Sequence, residues 1–387
     1  MALADMQRRQ VAPPRVAWHV EKSRLRCVVG WQGERPPLAE VLPLLENLGL
    51  VLIDHRPEES AESFEFFRVE NPRFGEVLPW LAEAFKAAWE HTVDRDDFAS
   101  LVLQAQLDVR QVQLVRAACQ YLRQAGLGAS PSYVRGILSA HGEFIRHWVE
   151  VFQQRFDPAG PSSADSRLAK YADAATTRDE FRVLDWYAGL LDAITRTNYF
   201  RRDSAGRSPV TTVFKLDPAR LPFATNPAVK VETFVHHPDV EGLHVRYGPV
   251  ARGGLRWSDR VEDYRDEVIA LAKAQQVKNS LIVPAGAKGA FVVKAPLAGL
   301  APTDAASEVR ASTPRSGAGS TAAGRRRWPS RRRCSPGPGS RASPSTRSSS
   351  RNGAEGDWSP PRSPTASSTR CPSGTRSSAS ASPPTPT

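Results

Sequence analysis

The sequence predicts an α+β chain of several domains, with α/β character in its last folded part and a disordered tail beyond. Three observations carry that prediction. Short extended runs flank one helix between Val16 and Val69. Apolar residues recur at helical spacing from about Phe74 to Phe156 and from Arg178 to Phe200, as buried helix faces require. From about Leu300 the composition shifts to Ser, Pro, Arg, Ala, Gly and Thr, which cannot bury enough apolar surface to offset chain entropy.

Taken in order, Val16 to Val20 and Leu25 to Trp31 read as strands. Pro36-Pro37 opens a helix through Leu38, Val41, Leu42, Leu45 and Leu48, and Gly49 closes it at the position that favours a left-handed residue. Leu50 to Ile53 and Ser63 to Val69 follow as strands. In the helical region Leu101, Val102, Val109, Val112, Val115, Ala118, Tyr121 and Leu122 form one periodic face, Gly126 to Pro131 interrupt it, and Trp148, Val151 and Phe152 resume it. These aromatics read as core. His236 and His237 flank Pro238 with His244 beyond, but no cysteine or paired carboxylate stands at ligand spacing, so packing or surface roles are expected and no metal site.

The segment Val250 to Lys294 is the most informative. Arg252 and Arg256 lie in a loop with Gly253 and Gly254, and Ser258 and Asp259 read as caps of a helix that carries Gln275 and Lys278. Leu281-Ile282-Val283 reads as a short buried strand. Pro284 then opens a turn holding Gly286, Lys288 and Gly289, before strand resumes at Phe291-Val292-Val293. Glycines at 286 and 289 permit close backbone approach to a ligand. Four cations beside glycine-rich backbone suggest a pocket for a small, multiply charged anion.

These residues resemble the NAD-dependent glutamate dehydrogenases, in particular the very large bacterial type. That family's substrate domain carries a Gly-Gly-Leu-Arg loop, a helix ending in Lys-Asn, and a Pro-x-Gly-x-Lys-Gly loop, and all three recur here in order. The resemblance implies that Lys288 is the catalytic lysine and that Lys278 binds the substrate α-carboxylate. Arg252 stands where smaller enzymes have another substrate-binding lysine, and Gln275 matches a glutamine lining the pocket. Ala290 departs from the family, whose loop usually has a second glycine there. The implied reaction is oxidative deamination of L-glutamate to 2-oxoglutarate and ammonia with NAD. An ammonium among other cations is disfavoured, which suits a lysine to act as a base on the attacking water.

The strand–helix pattern before Val69, with Leu44-Leu45-Glu46-Asn47-Leu48-Gly49-Leu50, is similar to the ACT-like module these enzymes carry, and Arg196-Thr197-Asn198-Tyr199-Phe200 is also similar to the large type. The expected organisation is therefore an ACT-like module over 1–75, a helical region over 76–200, a partial substrate domain over 201–297 and a disordered tail over 298–387. A nicotinamide domain is expected after the lysine loop, yet the only approximate glycine motif there, Gly317-Ala318-Gly319, has no strand before it. The expectation is a fragment of a cytoplasmic, homo-oligomeric enzyme, inactive without that domain.

The chain holds 52 basic and 41 acidic residues, net +11, of which residues 301–387 supply 14 Arg against 4 acidic residues. The basic balance is thus a property of the tail. One reading makes the tail a polyanion or RNA contact. The other places a frame slip near residues 298–312, with out-of-frame sequence beyond. Arginine without lysine, Trp328 and Trp358 among prolines, and abrupt onset favour the slip. No apolar run of about 18 residues suggests a membrane span. Cys27 and Cys119, isolated from one another, suit a reducing compartment.

Overall fold

Alternation governs the first strands. Leu25, Cys27 and Val29 are fully buried and the residues between them are half-buried, the two-residue period of a strand with one face in a core. A computed structural model describes residues 13–294, apart from 22–23, 59–60, 68–73, 161–167, 169–170, 172, 224–228, 249–250, 252 and 280–284; the side chains of 21, 74 and 276–279 also lie outside the description. All of these residues fall within one unit, Met1–Arg326, and the unit Arg327–Thr387 lies wholly outside it.

Strands β1 (Arg15–Glu21), β2 (Arg24–Gly30), β3 (Leu52–Pro57) and β4 (Ala61–Phe67) form an antiparallel sheet in the order β1-β2-β4-β3. Because β2 and β3 both run antiparallel to β4, they are parallel to each other. Helix α1 (Leu38–Glu46) connects them, making a split β-α-β unit. Gly49 follows α1 at φ +78° and donates its N–H to the Glu46 carbonyl at 2.8 Å. Helix α2 (Phe74–Trp89) packs on β1 and α1, and its Trp89 ring lies 5.1 Å from that of Trp31.

A 3-10 turn at Asp97–Ser100 leads into α3 (Leu101–Gln104), α4 (Val109–Gln124), α5 (Pro131–Ala140), α6 (Gly142–Phe156) and α7 (Arg178–Ala193). Asp108 with Gln111 and Thr177 with Glu180 form reciprocal capping boxes, satisfying orphan donors at two helix starts. Trp148 is fully buried and donates Nε1–H to the Tyr187 carbonyl at 2.7 Å, so its role is packing, as its periodicity predicts. The helix expected through Phe200 instead ends at Ala193. Ile194–Thr197 is strand β5 and residues 198–200 turn; three β-branched residues, Ile194, Thr195 and Thr197, favour the extended form.

The second sheet adds β6 (Thr212–Leu216), β7 (Val231–His236), β8 (Val240–Arg246), β9 (Leu255–Trp257) and β10 (Ala287–Val293), in the order β5-β6-β7-β8-β10-β9. All pairings are antiparallel except β9 with β10. Helix α4 packs against β6 and β7, and α8 (Tyr264–Asn279) packs against β8 and β10. The start of α8 corrects the expected cap. Ser258 and Asp259 do not begin the helix, which starts at Tyr264 after a turn over 261–263. The Ser258 hydroxyl instead donates to Glu267 at 2.5 Å. The expected strand at Leu281–Val283 and the whole tail lie outside the described residues.

Among the described residues no helix is long and apolar enough to cross a membrane. Burial pushes the thiols of Cys27 and Cys119 upward, the latter to about 12, so neither presents a reactive thiolate.

Candidate active site

Strand β10 organises the site. Lys288, expected in a loop, is its second residue and pairs in register with Val245 of β8. Gly289, also expected in that loop, lies in the strand beside His244 on one side and Leu255 on the other. The turn therefore ends before Lys288. The Gly286 carbonyl accepts the Tyr247 N–H at 3.0 Å, and the Tyr247 hydroxyl reaches the Ile269 carbonyl of α8 at 3.2 Å.

The Gly253-Gly254 loop docks directly on this strand. Gly289 donates its N–H to the Gly254 carbonyl at 3.1 Å. A Cβ on Gly253 would fall on the Ala287 carbonyl, and one on Gly289 would lie 2.7 Å from Leu255 Cδ1 and 3.0 Å from the Leu243 carbonyl. The close approach at Gly253 and Gly289 is thus between chain segments, and at Gly289, where the sequence suggested approach to a ligand, packing against Leu255 and Leu243 already requires glycine. Ala290, the departure from the family pattern, is fully buried.

Helix α8 brings Gln275 to the same face of the sheet as Lys288. Its side chain is half-buried, and Oε1 is shielded from solvent with no hydrogen-bond donor among the described residues. Arg256 is not a free cation: it pairs with Glu267 at 2.8 Å. Arg252 and the side chain of Lys278 lie outside the described residues, as does Pro284. The structure therefore brings together Gly253, Gly254, Lys288 and Gly289, and sets the Gln275 helix across them.

The helix is anchored by buried charge. Arg265 donates from Nε and Nη2 to Glu232 at 3.1 and 2.8 Å, and the Tyr121 hydroxyl donates to the same carboxylate at 3.0 Å. Glu232 is fully buried. Burial works against the Arg265 charge, and Glu232 outweighs it, so its pKa is raised. This ion pair ties the first turn of α8 to β7, which fixes the direction in which the helix crosses the sheet.

Sequence reasoning missed the far end of β10. Lys294 donates to Asp94 at 2.8 Å and to His236 Nε2 at 3.0 Å, and lies 3.3 Å from Glu241. His236 is fully buried, and burial together with Lys294 holds its pKa well below the usual histidine range. Its 3.5 Å approach to Asp94 is consequently a contact of a neutral ring, not an ion pair. Burial raises the Glu241 pKa, whereas that of Asp94 is lowered because the charges of Lys294 and Arg116 and a hydrogen bond from Lys294 work against its burial. The available signal was parity: Lys288 and Lys294 are an even number of residues apart, so a strand puts them on one face.

Comparison with known proteins matches this architecture to one family. Residues 167–313, spanning α7, β5–β10 and α8, match "Bacterial NAD-glutamate dehydrogenase, catalytic domain". Residues 93–158, spanning α3–α6, match "Glutamate dehydrogenase, helical motif 3". Over residues 167–313 the chain belongs to the bacterial NAD-glutamate dehydrogenase family. It is 42% identical over 279 residues to a protein of Halomonas elongata, covering 68% of this chain and 17% of that relative. It is 40% identical over 294 residues to one of Pseudomonas aeruginosa, covering 70% and 18%, and 38% identical over 289 residues to one of Mycobacterium tuberculosis, covering 68% and 18%. Each relative is called NAD-specific glutamate dehydrogenase. The chain thus spans less than a fifth of the length of these relatives.

Proposed function

We propose that residues 252–289 form the glutamate-binding side of an NAD-dependent glutamate dehydrogenase active site. Lys288 is the base that activates water on the imine carbon. Arg252 and Lys278 hold the substrate α-carboxylate, and Gln275 lines the same pocket. The observation that supports this reading is the hydrogen bond from Gly289 to Gly254, which joins the Gly253-Gly254 loop to the strand that carries Lys288. The substrate is glutamate in one direction and 2-oxoglutarate with ammonia in the other.

No glycine-rich phosphate turn joins a strand to a helix among the described residues. When bound, NAD would accept the hydride; the residues named above bind and orient the carboxylate and move a proton at water. The regions 1–75, 76–200 and 201–297 are our domain assignment. The split β-α-β order of the first sheet supports the ACT-like reading of residues 1–75, although α2 extends that packing to Trp89. Cytoplasmic location and homo-oligomeric assembly belong to the same proposal. No observation among the described residues favours polyanion binding by the 298–387 segment.

The test uses a full-length enzyme carrying these residues. Lys288→Ala is expected to lower kcat roughly 10²- to 10⁴-fold, while Arg252→Ala raises the KM for glutamate more than that for NAD. Near wild-type turnover of Lys288→Ala would overturn the assignment.

A further inference from the structure

Helix α2, the first turn of α4 and the segment from Asn198 to Thr212 border a cavity of about 750 Å³. Neither Lys288 nor Gln275 lines it, so it is separate from the loops discussed above. Most polar groups on its wall are already committed. Asn198 donates to the Thr211 carbonyl at 2.8 Å and accepts the Val213 N–H at 2.9 Å. Arg207 donates to Asp203 at 2.9 Å.

Two residues on α4 are not committed in this way. Arg110 lies with its guanidinium 4.3 Å from the centroid of the Tyr199 ring. Its Nε and Nη1 are shielded from solvent without a hydrogen-bond acceptor, while the guanidinium shares a hydrogen bond with the Tyr199 hydroxyl. One turn on, Gln113 is only 6% exposed; its Oε1 accepts from Arg116, and its Nε2 has no partner.

Shielded guanidinium nitrogens without an acceptor are costly even on a half-buried side chain, and stacking on Tyr199 compensates only part of the charge. The N-terminal turn of α4 adds a positive potential. Burial lowers the Arg110 pKa, and the Tyr199 hydroxyl and Asp108 offset that only in part. The rest of the wall carries Glu83 and Glu90 beside apolar surface from Ala87, Val93, Val109 and Val210, and burial raises the Glu83 pKa towards its neutral form. Inorganic anions find no use for such surface.

We propose that this cavity binds a small organic carboxylate, its anionic end compensating Arg110 and Gln113 and its apolar part lying against Ala87 and Val210. The site is independent of the proposed glutamate pocket.

The experiment measures binding of isovalerate to the purified 387-residue chain by titration calorimetry, with isovaleramide and inorganic phosphate as controls. Saturable binding of isovalerate in the millimolar range or tighter is expected, equally in wild type and Lys288→Ala. Both controls should bind at least about tenfold more weakly, since the amide lacks the charge and phosphate lacks the apolar part. Arg110→Gln should weaken isovalerate about 10- to 100-fold, the loss of one charge-assisted contact. Ala87→Trp, which fills the cavity without removing the charge, should abolish binding and keeps the test decisive if Arg110→Gln does not fold. Absence of saturable binding overturns the proposal, as does phosphate binding as tightly as isovalerate. Binding lost in Lys288→Ala but retained in Ala87→Trp also overturns it, by assigning the carboxylate to the substrate loops.

Discussion

Lys288 is the second residue of β10 and Lys294 directly follows its last, and they are treated very differently by the fold. Lys294 touches Asp94, His236 and Glu241, drawn from three separate stretches of chain. Lys288 has no hydrogen bond or ion pair among the described residues and remains half-buried. A charge consumed by its neighbours holds the structure together. Lys288 is left uncompensated beside a docked loop, so one strand meets two different environments along its length.

The comparison breaks most clearly by removing each lysine. Lys294→Ala strands Glu241 and Asp94 in a low-dielectric site and should cost about 3–5 kcal/mol of unfolding free energy, the usual penalty for half of a buried pair. Denaturant unfolding checks this, and a loss no larger than that of Lys288→Ala would show the cluster to be incidental.

Gly253→Ala probes the docking of the loop on the Lys288 end. Its added methyl meets the Ala287 carbonyl, so a destabilisation of about 1–3 kcal/mol is expected, with faster hydrogen exchange at the Gly289 amide. Unchanged exchange there would mean that the loop does not depend on this contact.

The pH dependence sharpens the anchor. His236 has a folded pKa far below its unfolded value near 6.5, so the unfolded chain binds more protons below that value. Stability should therefore fall as pH drops through about 6.5 and continue falling towards the folded pKa. Glu241, whose pKa is raised by burial, opposes this, because the folded state holds its proton to higher pH. His236→Gln should remove the histidine contribution and flatten the stability profile between roughly pH 5 and 7. A slope equal to wild type would assign the dependence to other groups.

The smallest effect is expected for Lys288→Ala, within about 0.5 kcal/mol of wild type in the same unfolding assay. A large loss would mean that Lys288 has a structural partner, and the contrast between the two lysines would disappear.

Local patterns made much of this readable in advance. Strand β2 and Gly49 announce themselves through alternation and backbone permissiveness, and the helical region through its period. The strand expected at Leu50–Ile53, by contrast, overlaps β3 only at Leu52 and Ile53. Other features depend on distance in the chain. Lys294 finds Asp94 across 200 positions, which no local pattern encodes. Ser258 and Asp259 are good capping residues, but Ser258 is drawn to Glu267 and the helix begins later. Gly286 and Gly289 around Lys288 look like a loop. In the folded chain Gly289 is a strand residue kept small by the neighbouring Leu255 and Leu243. Arg256 looked like a pocket cation until Glu267, eleven residues on, claimed it.

The ends of the second sheet also bear on how this unit meets its surroundings. Among the described strands the outermost are β5, four residues long with a register shift between Ile194 and Arg196, and β9, three residues long. The seven-residue strands β8 and β10 lie inside. Little unpaired main chain is therefore presented as a template for further strands, which guards against sheet-to-sheet polymerisation. A neighbouring domain or subunit that settles here must recognise side chains such as the exposed Leu255 and Trp257, and its fit will be decided by shape, not by extension of the sheet.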